Sequence, residues 1–127
     1  MIYELFKNRR WNSQTIHDFL NILTDYSNEE KCEIVVEVAK ELMKKSDDLS
    51  ITAAEVILVY ATQHYFDVCD NNYKALVYYQ LGKLYENYLY NFIKAYTYYE
   101  KYTLNNTTNG GDHSILLKAL ILRSPIF

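Results

Sequence analysis

From residue 13 to residue 104 the chain contains no proline and one glycine, Gly82. The sole proline is Pro125, and the only Gly-Gly step is Gly110-Gly111. Proline removes a backbone donor, and glycine costs about 1 kcal/mol in a helix interior, so a stretch almost free of both can run through successive helices broken only by polar turns. Apolar-polar alternation never holds for more than a few residues, which argues against strands. A length of 127 residues is the size of one domain. The expected fold is therefore all-α, a single domain over residues 1–127 with five to seven antiparallel helices, because short connections make neighbours pack antiparallel.

Helix signals divide the chain. A first helix is expected from Ser13 to Asp25, with Ile16, Phe19, Leu20 and Leu23 at helical spacing. Ser27 and Glu30 form a capping-box pattern that starts a second helix running to Lys45. Its stripe of Cys32, Val35, Val36, Ala39, Leu42 and Met43 opposes a charged face holding Glu33, Glu37, Lys40, Glu41 and Lys44, with Glu41 spaced to pair with Lys45. After Asp47-Asp48 a third helix is expected from Ser50 or Thr52 to Val68, with Thr52 and Glu55 as a second capping box; it is apolar on most of its circumference and reads as central. Asp70-Asn71-Asn72 caps a fourth helix to Tyr88, and Asn91 caps a fifth from Phe92 to Leu104. A polar loop from Asn105 to Asp112 leads to a short helix holding Ile115, Leu116, Leu117, Ala119, Leu120 and Ile121.

Composition narrows the class. With 50% apolar and 23% charged residues the chain is globular rather than disordered. Cys32 and Cys69 have no CxxC spacing, sit in apolar helical pattern and read as buried thiols, although an oxidising compartment would allow them to pair. The start Met-Ile-Tyr-Glu-Leu-Phe-Lys has neither a secretory pattern nor a long apolar run, so a cytoplasmic location without membrane contact is expected. Ten of the sixteen acidic residues fall in the first fifty positions, against seven basic residues there, and net charge is −3. Lys74, Lys83, Lys94 and Lys101 are scattered singly through the tyrosine-rich segment, which disfavours nucleic-acid binding, since that needs clustered cations.

Twelve of the fourteen tyrosines lie between Tyr60 and Tyr102. Within that stretch Lys74-Ala75-Leu76-Val77-Tyr78-Tyr79 returns twenty residues later as Lys94-Ala95-Tyr96-Thr97-Tyr98-Tyr99, an echo that marks two helices with similar packing faces. Tyr78, Leu81, Gly82 and Tyr85, followed by Ala95, Tyr99 and Tyr102, resemble the tetratricopeptide repeat, in which small residues let two antiparallel helices approach and aromatic rings fill the space around them. Ala95 arrives one residue late, Tyr102 replaces a small residue and no proline ends the unit. The same segment is similar to the related Sel1-like repeat, without its glycine-rich inter-helix loop.

The resemblance covers about thirty residues, 75–102, and implies helical-hairpin packing with Gly82 facing the neighbourhood of Ala95. It also implies a protein-binding surface at Tyr79, Lys83, Glu86 and Asn87. Helical spacing reads Tyr78, Leu81, Tyr85 and Tyr99 as core.

No catalytic constellation is legible. His17, His64 and His113 have no histidine or convincing carboxylate partner at ligand spacing, and no HExxH, phosphate-binding glycine loop or GxSxG is present. No enzyme activity, metal or cofactor is expected. The leading functional expectation is a non-catalytic protein-binding module, most concretely a small cytosolic inhibitor or immunity protein that neutralises a basic partner such as a toxin nuclease. Tyrosines would supply anchors, and the acidic helix with Glu33, Glu37 and Glu41 would supply charge. The alternatives are a structural or regulatory subunit that self-associates, for example as a homodimer, through its apolar C-terminus, and a nucleic-acid-binding regulator.

Overall fold

A computed structural model describes residues 2–105. Each helix begins where a side chain can accept a free backbone N–H. In α1 (Ser13–Ile22) the Asn12 side chain accepts from the Thr15 N–H at 3.0 Å, and a 3-10 turn, Leu23–Asp25, prolongs the helix. In α2 (Asn28–Lys45) both arms of the expected capping box form: Ser27 Oγ accepts from the Glu30 N–H at 3.2 Å, and Glu30 accepts from the Ser27 N–H at 3.1 Å. Ser46 ends α2 in the left-handed conformation, φ 56°.

The third helix departs from expectation at both ends. α3 spans Asp48–His64 and is capped by Asp47, whose carboxylate accepts from the Ser50 N–H at 2.9 Å and the Ser50 hydroxyl at 2.8 Å. A carboxylate two residues after α2 satisfies the first amides, so Thr52 and Glu55 are interior to the helix and form no capping box. At the other end Tyr65 turns into the core, and Val68 sits at φ 51°, which no right-handed helix accommodates. α4 (Asn71–Asn87) is capped by Asp70, and α5 (Phe92–Asn105) by Asn91, whose side chain accepts from the Lys94 N–H at 3.2 Å. The expected polar loop beyond Asn105 and the expected last helix lie outside the described residues.

Packing follows from the faces these helices expose to one another. α2 and α3, separated only by Ser46 and Asp47, form an antiparallel hairpin; α4 packs against both, and α5 packs on α4. The whole α2 stripe expected from sequence is buried, together with Val38, and meets Ile51, Ala54, Ile57, Leu58 and Ala61 of α3 and Val77, Leu81 and Leu84 of α4 in one continuous core. Glu41 pairs with Lys44 at 3.3 Å, three residues on, rather than with Lys45.

Phe6, Trp11 and Phe19 add an aromatic cluster with ring centroids 5.6 to 6.0 Å apart. Each ring is almost fully buried, a contribution of about 1.5–3 kcal/mol for such a side chain, and this pins the N-terminal segment to α1. Cys32 is buried as expected, but Cys69 is half-buried because it lies in the turn beyond α3; both are free thiols. No helix among the described residues is long and apolar enough to cross a membrane.

Candidate protein-binding surface

The α4–α5 hairpin is set by a missing side chain. Gly82 faces the ring of Tyr99, one helical turn beyond the Ala95 neighbourhood expected from sequence; a Cβ at position 82 would lie 2.5 Å from Tyr99 Cε1. Tyr99 is fully buried, and its hydroxyl donates to Glu86 Oε1 at 2.8 Å. Burial, reinforced by that carboxylate, raises its phenol pKa well above the usual value.

Those contacts engage two of the four α4 residues expected to bind a partner. Tyr79 is half-buried, its ring 6.3 Å from that of Tyr99 and 5.2 Å from that of Tyr102, and Glu86 is engaged by Tyr99, so both turn toward α5. Lys83 holds its ammonium 5.6 Å above the Tyr79 ring. Lys83 and the exposed Asn87 also border a shallow depression of about 300 Å3 against Lys40 and Met43 of α2. Leu81, Tyr85 and Tyr99 are buried, whereas Tyr78 is only half-buried.

The second expected surface is the outer face of α2. Glu33 and Glu37 are exposed, one turn apart, and neither enters an ion pair among the described residues; Glu41 is half-buried and neutralised by Lys44.

A third surface joins residues that are dispersed in sequence. Phe66 meets Tyr78 edge-on at 5.2 Å, Tyr78 stacks with Tyr98 at 6.1 Å, and Tyr98 stacks almost parallel to Tyr85 at 5.7 Å and 7°. Lys74 lies over Phe66, Lys101 over Tyr78 and Tyr98, and Lys94 over Tyr85, at 5.2 to 5.9 Å. Lysines isolated along the chain thus share one aromatic strip, where each ammonium is attracted by the negative face of a ring. The twenty-residue echo has a structural meaning here, since Tyr78 contacts its own counterpart Tyr98, and Tyr79 contacts Tyr99.

The strip ends at a groove of about 440 Å3 between α3 and α5, bordered by Glu55, Val59, Tyr60, Tyr85, Lys94 and Tyr98. Glu55 Oε2 accepts from the Tyr85 hydroxyl at 2.6 Å, and Tyr60 stacks on His64 at 4.1 Å. Sequence reasoning missed this groove because Glu55 reads as a capping residue and Tyr60 and Tyr98 stand on helices separated by α4. The usable signal was Glu55 itself, a carboxylate interrupting the most apolar helix.

His17 is exposed and within 3.1 Å of Asn21, while His113 lies outside the described residues. Among the described residues no group of three or more His, Cys, Asp or Glu side chains is placed to hold a metal ion. No family model matches the chain, and no curated protein or solved structure matches it either.

Proposed function

We propose that this chain is a non-catalytic protein-binding module whose partner is a basic protein, its concrete form being a small cytosolic inhibitor such as an immunity protein that neutralises a toxin nuclease. The observation that carries this reading is the pair Glu33 and Glu37, exposed on α2 without an ion pair among the described residues. Carboxylates left unneutralised one turn apart hold a fixed negative field that accelerates encounter with a basic surface and disfavours acidic competitors. Half-buried tyrosines on α4 and α5 are suited to supply anchoring area, because aromatic side chains dominate interface energies.

The test is affinity capture at low salt with the wild-type chain and with Glu33→Lys/Glu37→Lys. A basic protein that binds the wild type, is released by raised salt and is lost with the charge-reversed variant is the expected result. An acidic partner, or equal capture by both chains, overturns the reading.

Self-association is a second reading, favoured by Tyr90, Phe92 and Ile93, which expose 70%, 46% and 80% of their surface in the α4–α5 turn and the first turn of α5. A concentration-dependent dimer in sedimentation velocity, with no captured partner, would select it.

A further inference from the structure

The α3–α5 groove contains a carboxylate that no ion pair among the described residues neutralises. Glu55 is half-buried, one of its oxygens takes the Tyr85 hydroxyl, and among the described residues it enters no ion pair. A carboxylate offers about four acceptor sites, and among the described residues one hydrogen bond to Glu55 is formed, from Tyr85. Around it stand the aliphatic side chains of Val56 and Val59, the amide of Gln63 and the rings of Tyr60, Tyr85 and Tyr98.

An apolar side chain entering this space would strip water from Glu55 and return no hydrogen bond, which is costly. An acidic group would meet like charge. A guanidinium suits these walls together: its planar fork donates to the carboxylate, its face stacks on tyrosine, and its methylene stem packs on valine.

Among the described residues that line the groove Lys94 is the one cation, with its ammonium 5.2 Å from the centroid of the Tyr85 ring. It occupies the ring face that an incoming guanidinium would use. As a strongly hydrated group on a flexible stem it can return to water, whereas a guanidinium is more weakly hydrated and loses less on entering.

We propose that the groove between α3 and α5 is a receptor for an arginine side chain presented by the partner, with Glu55 as counter-ion, Tyr60 and Tyr98 as walls and Lys94 as a displaceable occupant. This rests on the reading that the partner is basic, and it assigns to that partner a contact site separate from the α2 carboxylates. Arginine is favoured over lysine because a compact ammonium cannot both stack flat on a ring and donate two parallel bonds to one carboxylate.

The experiment is an NMR titration of the isotopically labelled protein with the capped tripeptide acetyl-Gly-Arg-Gly-amide, and with the same peptide carrying lysine or citrulline, the neutral isostere of arginine. Saturable shifts centred on Glu55, Tyr60 and Tyr98 are expected, with the citrulline peptide weaker by about tenfold, as loss of a charge-assisted bond implies. The lysine peptide should fall between them. Glu55→Gln, which keeps an acceptor for Tyr85, should weaken the arginine peptide by about tenfold while leaving the citrulline peptide unchanged, and Lys94→Ala should strengthen arginine binding. A preserved amide spectrum shows that each variant is folded. Equal binding of the arginine and citrulline peptides, no saturable shift, or weaker binding by Lys94→Ala overturns the proposal. Shifts confined to the region of Glu33 and Glu37 overturn it too, while leaving the basic-partner reading intact.

Discussion

The Tyr99 ring occupies the place a side chain at position 82 would take, 2.5 Å from where a Cβ would stand. It has nowhere to retreat: Tyr99 is fully buried, is held at its hydroxyl by Glu86 at 2.8 Å, and packs beside Tyr79. The spacing of α4 and α5 is therefore set by one ring lying on one glycine.

Gly82→Ala should consequently destabilise the protein. Alanine is the better helix former by about 1 kcal/mol, but overlap with an immobile ring costs about 1–3 kcal/mol and forces the helices apart. Urea denaturation should show a net loss. Adding Tyr99→Leu should recover part of it, so that the double variant loses less than the sum of the singles. A Gly82→Ala protein more stable than wild type would remove this contact as the determinant of the hairpin.

Raising the pH should unfold the chain through its buried phenols and thiol. Desolvation pushes Tyr65 up to about 12 from 10.0 and Cys32 up to about 12 from 9.0, and it also raises Tyr85 and Tyr99, where carboxylate partners add to the effect. Each is an acid whose folded pKa exceeds its unfolded value. The folded state holds these protons longer, so the stabilisation is complete below pH 9 and is lost as pH rises through the folded values. Phenolate absorbance should show an early phase from exposed tyrosines and a later, steeper one coincident with loss of helical circular dichroism. A single phase near pH 10 with the helices intact would contradict the burial of these rings.

At the start of α3, Asp47→Ala should lower the melting temperature at neutral pH, whereas Thr52→Ala should leave it nearly unchanged. Asp47 caps the helix, and its bonds from the backbone and hydroxyl of Ser50 hold its pKa below the usual 3.8. A depressed carboxylate stabilises above its unfolded pKa and loses that contribution as pH falls through the folded one, so the Asp47→Ala difference should shrink in acid. Larger destabilisation from Thr52→Ala would restore the later helix start.

Val68→Gly should stabilise. The valine holds φ 51° with 91% of its surface exposed, so its side chain buries almost nothing while a β-branched residue bears the left-handed backbone. Glycine relieves about 1–2 kcal/mol of that conformation and returns about half as much in unfolded-state entropy. A rise in denaturation midpoint is expected, and a fall would mean that this turn does not require the left-handed region.

Local chemistry determined the helices. The Ser27–Glu30 box, the Asn91 cap and the buried stripe of α2 were legible because caps and 3.6-residue periodicity act over a few neighbouring positions. Where two local signals competed, as at Asp47 against Thr52, only the folded backbone decided which side chain met the free amides. The Phe6–Trp11–Phe19 cluster was not legible, since it joins a turn, a loop and a helix that share no period.

The candidate surfaces divide in the same way. Exposure of Glu33 and Glu37 follows from the α2 stripe opposite them, so sequence alone placed them. The groove around Glu55 required α3 and α5 to flank α4, bringing Tyr60 and Tyr98 to one opening and gathering Lys74, Lys94 and Lys101 over one strip of rings. Helical periodicity reports which face a residue occupies; which faces meet across the core is a property of packing, and it appears only when the helices are assembled.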